Sequence, residues 1–146
     1  MSKNSKDRGD ETEVRVLHEL VANGHQVSIP FGDNSKYDLV VDDGDRFYRI
    51  QCKTGWVADE GVLQFNTHSQ TTRDGAYHET GYEGEIDAFV VRYPEEDTLY
   101  WIPIADATSR KMRLRFDAEI DHPSINWAAD YEFDGTLPGS RSKAAE

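Results

Sequence analysis

The sequence predicts a single α/β domain: one amphipathic helix followed by short strands. Three observations point there. At 146 residues the chain has the size of one ordinary domain, long enough for one core and too short for two comfortable ones. Early on, apolar residues recur at three- and four-residue steps, the period of a helix. Later, the apolar segments are only strand-length, rich in β-branched and aromatic residues, and separated by turn clusters.

Residues 1–8, "MSKNSKDR", are polar and read as a loose tail. In "DETEVRVLHELVANG", Val14, Val16, Leu17, Leu20 and Val21 form the apolar set and Asn23-Gly24 supplies a stop, predicting a helix from about 11 to 22. "HQVSIPF" reads as a strand with Pro30 near its end. "YDLVV" and "RFYRIQCK" around "DDGD" give the strongest hairpin signal in the chain. "VLQFNT" predicts a short strand, and "HSQTTRDGAYHETGYEGE" a long loop, of a length that compact domains keep for function or disorder. "IDAFVVRY" and "TLYWIPI" form a second hairpin across "PEED", placing Tyr93, Tyr100 and Trp101 in core or rim. "KMRLRF" alternates as a strand does, and "SINWAADYEF" suggests a short helix capped by Ser124 or Asn126. The domain is set at 9–136, with a loose tail over 137–146.

The longest wholly apolar runs are about four residues, as in "AFVV", too short to span a bilayer or to form the apolar part of a signal peptide. The expectation is a soluble, cytoplasmic protein with no membrane partner. Cys52 is the only cysteine, which excludes an internal disulfide and any zinc site built on two sulfurs; it reads as a small buried strand residue. His68, His78 and His122 have no ligand spacing. Formal charge is −12, with 28 acidic residues against 16 basic. Such a balance repels nucleic acid at low salt. An acidic, lysine-poor surface on a normal core also resembles proteins of salt-loving archaea, where at about 1 M ionic strength a Debye length of about 3 Å screens that repulsion.

The stretch "KYDLVVDDGDRFYRIQCKT", residues 36–54, carries the chemistry. An even-numbered loop of two (Asp43-Gly44) or four residues (Asp42 to Asp45) makes cross-strand partners sum to 87, so Asp38 faces Arg49 with Gln51 as diagonal neighbour. Asp38, Gln51 and Lys53 then share one face, and Leu39, Val41, Tyr48, Ile50 and Cys52 share the other. A carboxylate and an amide oxygen are hard ligands of the kind Mg²⁺ takes. A lysine beside them can orient water or neutralise charge on a phosphate oxygen. Glu13 sits on the helix stripe facing the sheet, four residues before Leu17; it is either a further acid of this site or the second half of a capping box, Asp10-x-x-Glu13.

Together these residues resemble the PD-(D/E)XK nuclease superfamily, and more closely its group I intron-associated, homing-type endonucleases. The likeness runs from "GDETEVRVLHELVANGHQVSIPFGDNSKYDLVVDDGDRFYRIQCKTG" through "FNT", "YEGEIDAFVV" and "INWAADYE", roughly residues 9 to 133. It implies a restriction-endonuclease-like core, a central mixed β-sheet flanked by helices. It implies a Mg²⁺-dependent DNA endonuclease, with Mn²⁺ able to substitute. Asp38, Gln51 and Glu13 become metal ligands, and Lys53 the catalytic lysine. Tyr37 stands where the family name has Pro, and Gln51 replaces the usual acid, removing one negative charge from the metal site.

DNA contacts are expected from Ser35, Arg49, Gln70, Arg73, Arg110, Lys111, Arg113 and Arg115. Each has a plainer alternative. Ser35 and Asn34 suit a turn, and Arg49 could pair with Asp38 instead of DNA. The cluster Arg110, Lys111, Arg113, Arg115 could be a solvated strand face paired to acids, and the loop carrying Gln70 and Arg73 a flexible crossover. The partner is double-stranded or branched DNA, and cutting both strands favours a homo-oligomer, dimer or tetramer. Two alternatives stand beside the homing-type reading: a Holliday-junction resolvase or restriction/repair nuclease, and a nuclease-fold DNA-binding or interaction module that has lost catalysis through Gln51.

Overall fold

The computed structural model describes residues 4–32, 35–59, 61–73, 76–117 and 122–138, with the side chains of 5, 69–73 and 76–80 left out of the description. Helix α1 runs Ser5–Ala22, starting well before the expected residue 11. The reason is its cap: the Asn4 side chain accepts from the Asp7 backbone N–H at 2.8 Å, so Asp10 lies inside the helix and the Asp10–Glu13 capping box does not form. The inward stripe is Val16 and Leu20, both fully buried, with Leu17 beside them. Val14 and Val21, expected in that stripe, face solvent.

Strands β1 (Gln26–Ser28), β2 (Leu39–Asp42), β3 (Phe47–Thr54), β8 (Ala88–Tyr93) and β9 (Thr98–Pro103) make a five-stranded sheet in the order β1-β2-β3-β8-β9. Only β3 and β8 pair in parallel, so the sheet is mixed. Its five strands bury two faces. One packs on α1 through Leu39, Val41, Tyr48, Ile50, Ala88 and Val90. The other, with Phe89, Val91, Tyr100 and Ile102, packs on a second sheet and not on a second helix layer. That sheet is β4 (Trp56–Asp59), β5 (Val62–Asn66) and β10 (Lys111–Arg115), in the order β10-β5-β4, all antiparallel.

Where a long loop was expected over 68–85, β6 (Ser69–Arg73) and β7 (Ala76–Thr80) pair as a hairpin with Arg73 opposite Ala76. The intervening Asp74-Gly75 is a dipeptide that two-residue hairpins favour, a turn signal outweighed by the polar composition around it. The expected C-terminal helix is a single 3₁₀ turn, Ala128–Tyr131, preceded by Trp127 with no side-chain cap. Ala128 and Phe133 are buried, and Phe133 donates its N–H to the Leu99 carbonyl, so packing rather than capping holds this segment.

Candidate active site

The β2–β3 hairpin sets the site. Its loop has four residues, Asp43 to Arg46, one position later than expected, closed by Asp43 N–H donating to the Arg46 carbonyl at 3.2 Å. The Asp42 and Asp43 carboxylates accept loop N–H groups from Gly44, Asp45 and Arg46, which fixes the turn at this position. Partners therefore sum to 89, as in Leu39↔Ile50 and Val40↔Arg49. A shift of two preserves the faces and improves the geometry, because continuing the ladder by one residue sets Asp38 opposite Gln51 instead of Arg49.

Asp38 lies just before β2, where β3 runs on toward Thr54 paired with β8 but no longer with β2. Its backbone N–H donates to the Ile50 carbonyl at 2.8 Å, and its carboxylate accepts the Cys52 N–H at 3.0 Å. The side chain thus takes up a donor that β2 no longer serves. Burial raises its pKa above the usual aspartate range, with the Cys52 N–H and the Lys53 charge opposing that rise.

Helix α1 delivers Glu13 to the same place. Thr12 and Thr54 hydroxyls meet at 2.6 Å, pinning the helix against the end of β3. Burial raises the Glu13 pKa, and the Asp38 and then the Asp10 charge raise it further. Between these acids, the Cys52 thiol is pushed well up by burial and by both Asp38 and Glu13. Cys52 itself packs beside the α1 core as the small strand residue it was expected to be.

Lys53 lies on the β3 face turned away from the α1 core, the face it shares with Gln51. Its Nζ donates to the Tyr82 hydroxyl at 3.2 Å and to the His68 carbonyl at 3.4 Å, and lies 5.0 Å from the centroid of the Tyr82 ring. Burial lowers its pKa, and the Asp38 charge offsets part of that. Lys36 also reaches the Tyr82 ring, at 5.9 Å. Tyr82, His68 and Lys36 were not foreseen as members of this neighbourhood; Tyr82 and His68 lie in a segment read as loop, and no spacing rule joins them to Lys53.

The donor set fits a hard divalent cation. Two carboxylates, one raising the pKa of the other, and an amide supply oxygens of the kind Mg²⁺ takes while keeping several waters. Among the described residues no group of three or more His, Cys, Asp or Glu side chains is placed to hold a metal ion, so a site on Asp38 and Glu13 would need a further donor such as the Gln51 amide.

Other predicted contacts divide. Arg49 does not pair with Asp38: its N–H donates to the Asp87 carboxylate at 2.7 Å and its Nε at 3.3 Å, a structural tie. Ser35 is exposed three residues before Asp38, while Asn34 lies outside the described residues. Gln70 and Arg73 fall in β6, their side chains outside the description. Lys111, Arg113 and Arg115 share the exposed face of β10, alternating with buried Met112 and Leu114. Arg113 is engaged by Asp59 and by Gln64 at 3.3 Å. Arg110 precedes the strand with φ of 67° and is exposed. His122 bonds Ser124 at 2.8 Å, and His78 has no described side chain.

Glu13 on the helix, Asp38 beside β2 and Gln51-x-Lys53 on β3 are thus carried by one helix and a mixed sheet. A family model described as PD-(D/E)XK endonuclease matches residues 3–134, and the chain belongs to that family. A solved structure of a bacterial homing endonuclease, I-Ssp6803I, is similar at a TM-score of 0.78 and 20% identity, covering 99% of this chain and 98% of that one. At that identity the likeness speaks for the fold. No curated protein sequence matches the chain. Among the described residues, no helix is long and apolar enough to cross a membrane.

Proposed function

We propose that the chain is a Mg²⁺-dependent endonuclease that hydrolyses phosphodiester bonds in double-stranded DNA, in the manner of a homing endonuclease, with Mn²⁺ able to replace Mg²⁺. What supports this reading is the Asp38 carboxylate, held on β3 at 3.0 Å by the N–H of Cys52, the residue before Lys53, and electrostatically coupled to both Lys53 and Glu13. Asp38, Gln51 and Glu13 would hold the metal. When bound, the ion supplies a Lewis acid beside the scissile phosphate. Burial raises the pKa of both Asp38 and Glu13, and a bound cation would favour their charged forms. Lys53, with two of its three N–H groups engaged by Tyr82 and His68, directs the remaining donor at an attacking water or a phosphate oxygen. Ser35, Gln70, Arg73, Arg110, Lys111 and Arg115 are proposed to contact DNA.

Each site cuts one strand, so cleavage of a duplex is assigned to a symmetric homo-oligomer, a dimer or tetramer. The acidic surface supports work at high salt, where a Debye length of about 3 Å near 1 M removes long-range repulsion from DNA. Gln51 favours one rival, a DNA-binding module of the same fold without catalysis. Supercoiled plasmid and a four-way junction incubated at high salt with Mg²⁺ or Mn²⁺ decide. Plasmid linearisation that needs the metal and disappears in a folded Lys53→Ala variant supports the endonuclease. Cutting confined to the junction supports a resolvase, and binding with no cleavage supports the module.

A further inference from the structure

We propose that Tyr82 is a positioning residue that holds the Lys53 ammonium, through its hydroxyl and the face of its ring, for the chemistry beside Asp38. The inference rests on Lys53 serving the reaction proposed above, and it adds a residue to that machinery. Tyr82 is 4% exposed and wedged edge-on against Phe89, with ring centroids 5.3 Å apart and planes at 85°. Its backbone carbonyl accepts the Glu85 and Ile86 N–H groups at 2.9 and 3.3 Å, so both its ring and its main chain are anchored. Phenylalanine would fill the same space in that core. The hydroxyl is the part that packing does not require, and it is bonded to Lys53 at 3.2 Å.

A lysine ammonium on a four-carbon stem swings freely unless its donors are held. Here the Tyr82 oxygen at 3.2 Å and the His68 carbonyl at 3.4 Å fix two directions, which leaves one N–H of the ammonium for a reacting group. The His68 carbonyl is itself steady, because the His68 ring bonds the Arg110 carbonyl at 2.8 Å and the neighbouring Thr67 N–H donates to the same oxygen at 2.8 Å. Lys53 is thereby clamped between the 81–87 turn and the end of β5, two segments that the α1 face of the sheet does not touch.

The test is Tyr82→Phe in the full-length protein, which keeps the ring and removes the clamp oxygen. NMR relaxation of the Lys53 side-chain methylenes reports its mobility without any need for cleavage, and steady-state cleavage of supercoiled plasmid in Mg²⁺ reports kcat and KM. The expected result is a more mobile Lys53 terminus, kcat lower by about tenfold and KM within about twofold of wild type, as for loss of one hydrogen bond to a charged group. A Lys53 terminus as rigid as in wild type overturns the proposal, whether or not the protein cleaves DNA. Equal kcat in the two proteins overturns it as well. Wild-type protein that does not cut at all defeats the nuclease reading, and the relaxation result then decides the clamp alone.

Discussion

The Asp38 carboxylate accepts the backbone N–H of Cys52 at 3.0 Å, across the point where β2 has ended and β3 continues. One oxygen of the key aspartate thus completes the sheet, and the carboxylate as a whole stands in a partly buried place that penalises its charge. Fold and site share a single side chain, and that sharing makes several consequences measurable.

Asp38→Asn keeps an acceptor for Cys52 while removing the charge. The protein should remain folded and lose both divalent binding and cleavage, by about 100-fold or more in rate if the ion contributes as metal sites commonly do. Thermal melts with and without Mn²⁺ check the first part: the metal should stabilise wild type and leave the variant unmoved.

The pH dependence of stability should carry the same signature. Because Asp38 and Glu13 have folded-state pKa values raised above 3.8 and 4.5, the folded chain binds more protons than the unfolded one just above those values. Their contribution is therefore fully present below the unfolded pKa and is lost as pH rises through the raised folded values. Denaturant titrations of wild type and Asp38→Asn across pH 3 to about 7 should differ by a term that falls with pH in wild type only; parallel curves contradict the assignment.

Asp87 should behave in the opposite sense. Burial alone would raise its pKa, but the Arg49 N–H and guanidinium and the nearby Arg46 hold it below the usual range. Its stabilisation is present above 3.8 and lost as pH falls through the lower folded value. Asp87→Asn should cost about 1–2 kcal/mol at neutral pH, measured by urea unfolding, with little effect on metal binding.

Much of this layout was legible in the sequence. The period-two alternation of "YDLVV" and "RFYRIQCK" put Asp38, Gln51 and Lys53 on one face, and an error of one position in the loop left the faces intact because the loop length stayed even. Composition, in contrast, hid the β6–β7 hairpin: its polar residues read as loop although the backbone pairs from Ser69↔Thr80 to Arg73↔Ala76. The partners of Lys53 were beyond reach, since Tyr82 is 29 residues away and meets it only through the fold of 81–87 onto β8. Arg49 illustrates the same limit: the expected register set it opposite Asp38, but it faces Val40 and pairs with Asp87 far along the chain.

Gly55, between β3 and β4, should resist substitution. A Cβ there would lie 2.8 Å from Leu63 Cδ1 and 3.2 Å from Val91 Cγ1. Gly55→Ala should destabilise by about 1–3 kcal/mol and, by displacing the strand that carries Lys53, lower cleavage more than it lowers DNA affinity. Urea unfolding and a cleavage assay at saturating DNA separate the two effects.

On β10, Lys111→Gln and Arg115→Gln should each reduce the slope of log affinity against log salt by about 1, as expected when one phosphate contact is lost. Arg113→Gln should change it less, because Asp59 already engages that guanidinium. Fluorescence anisotropy with a labelled duplex over a salt series measures all three.

The central claim is a divalent centre formed by Asp38, Gln51 and Glu13 beside Lys53, and anomalous diffraction from crystals soaked in Mn²⁺ tests it most directly. The prediction is a Mn²⁺ peak with oxygens of Asp38 and Gln51 at roughly 2.0–2.2 Å, Glu13 bound directly or through water, and no peak in Asp38→Asn crystals. A Mn²⁺ peak elsewhere on the chain, with Asp38 and Gln51 free of metal at saturating concentration, would contradict it.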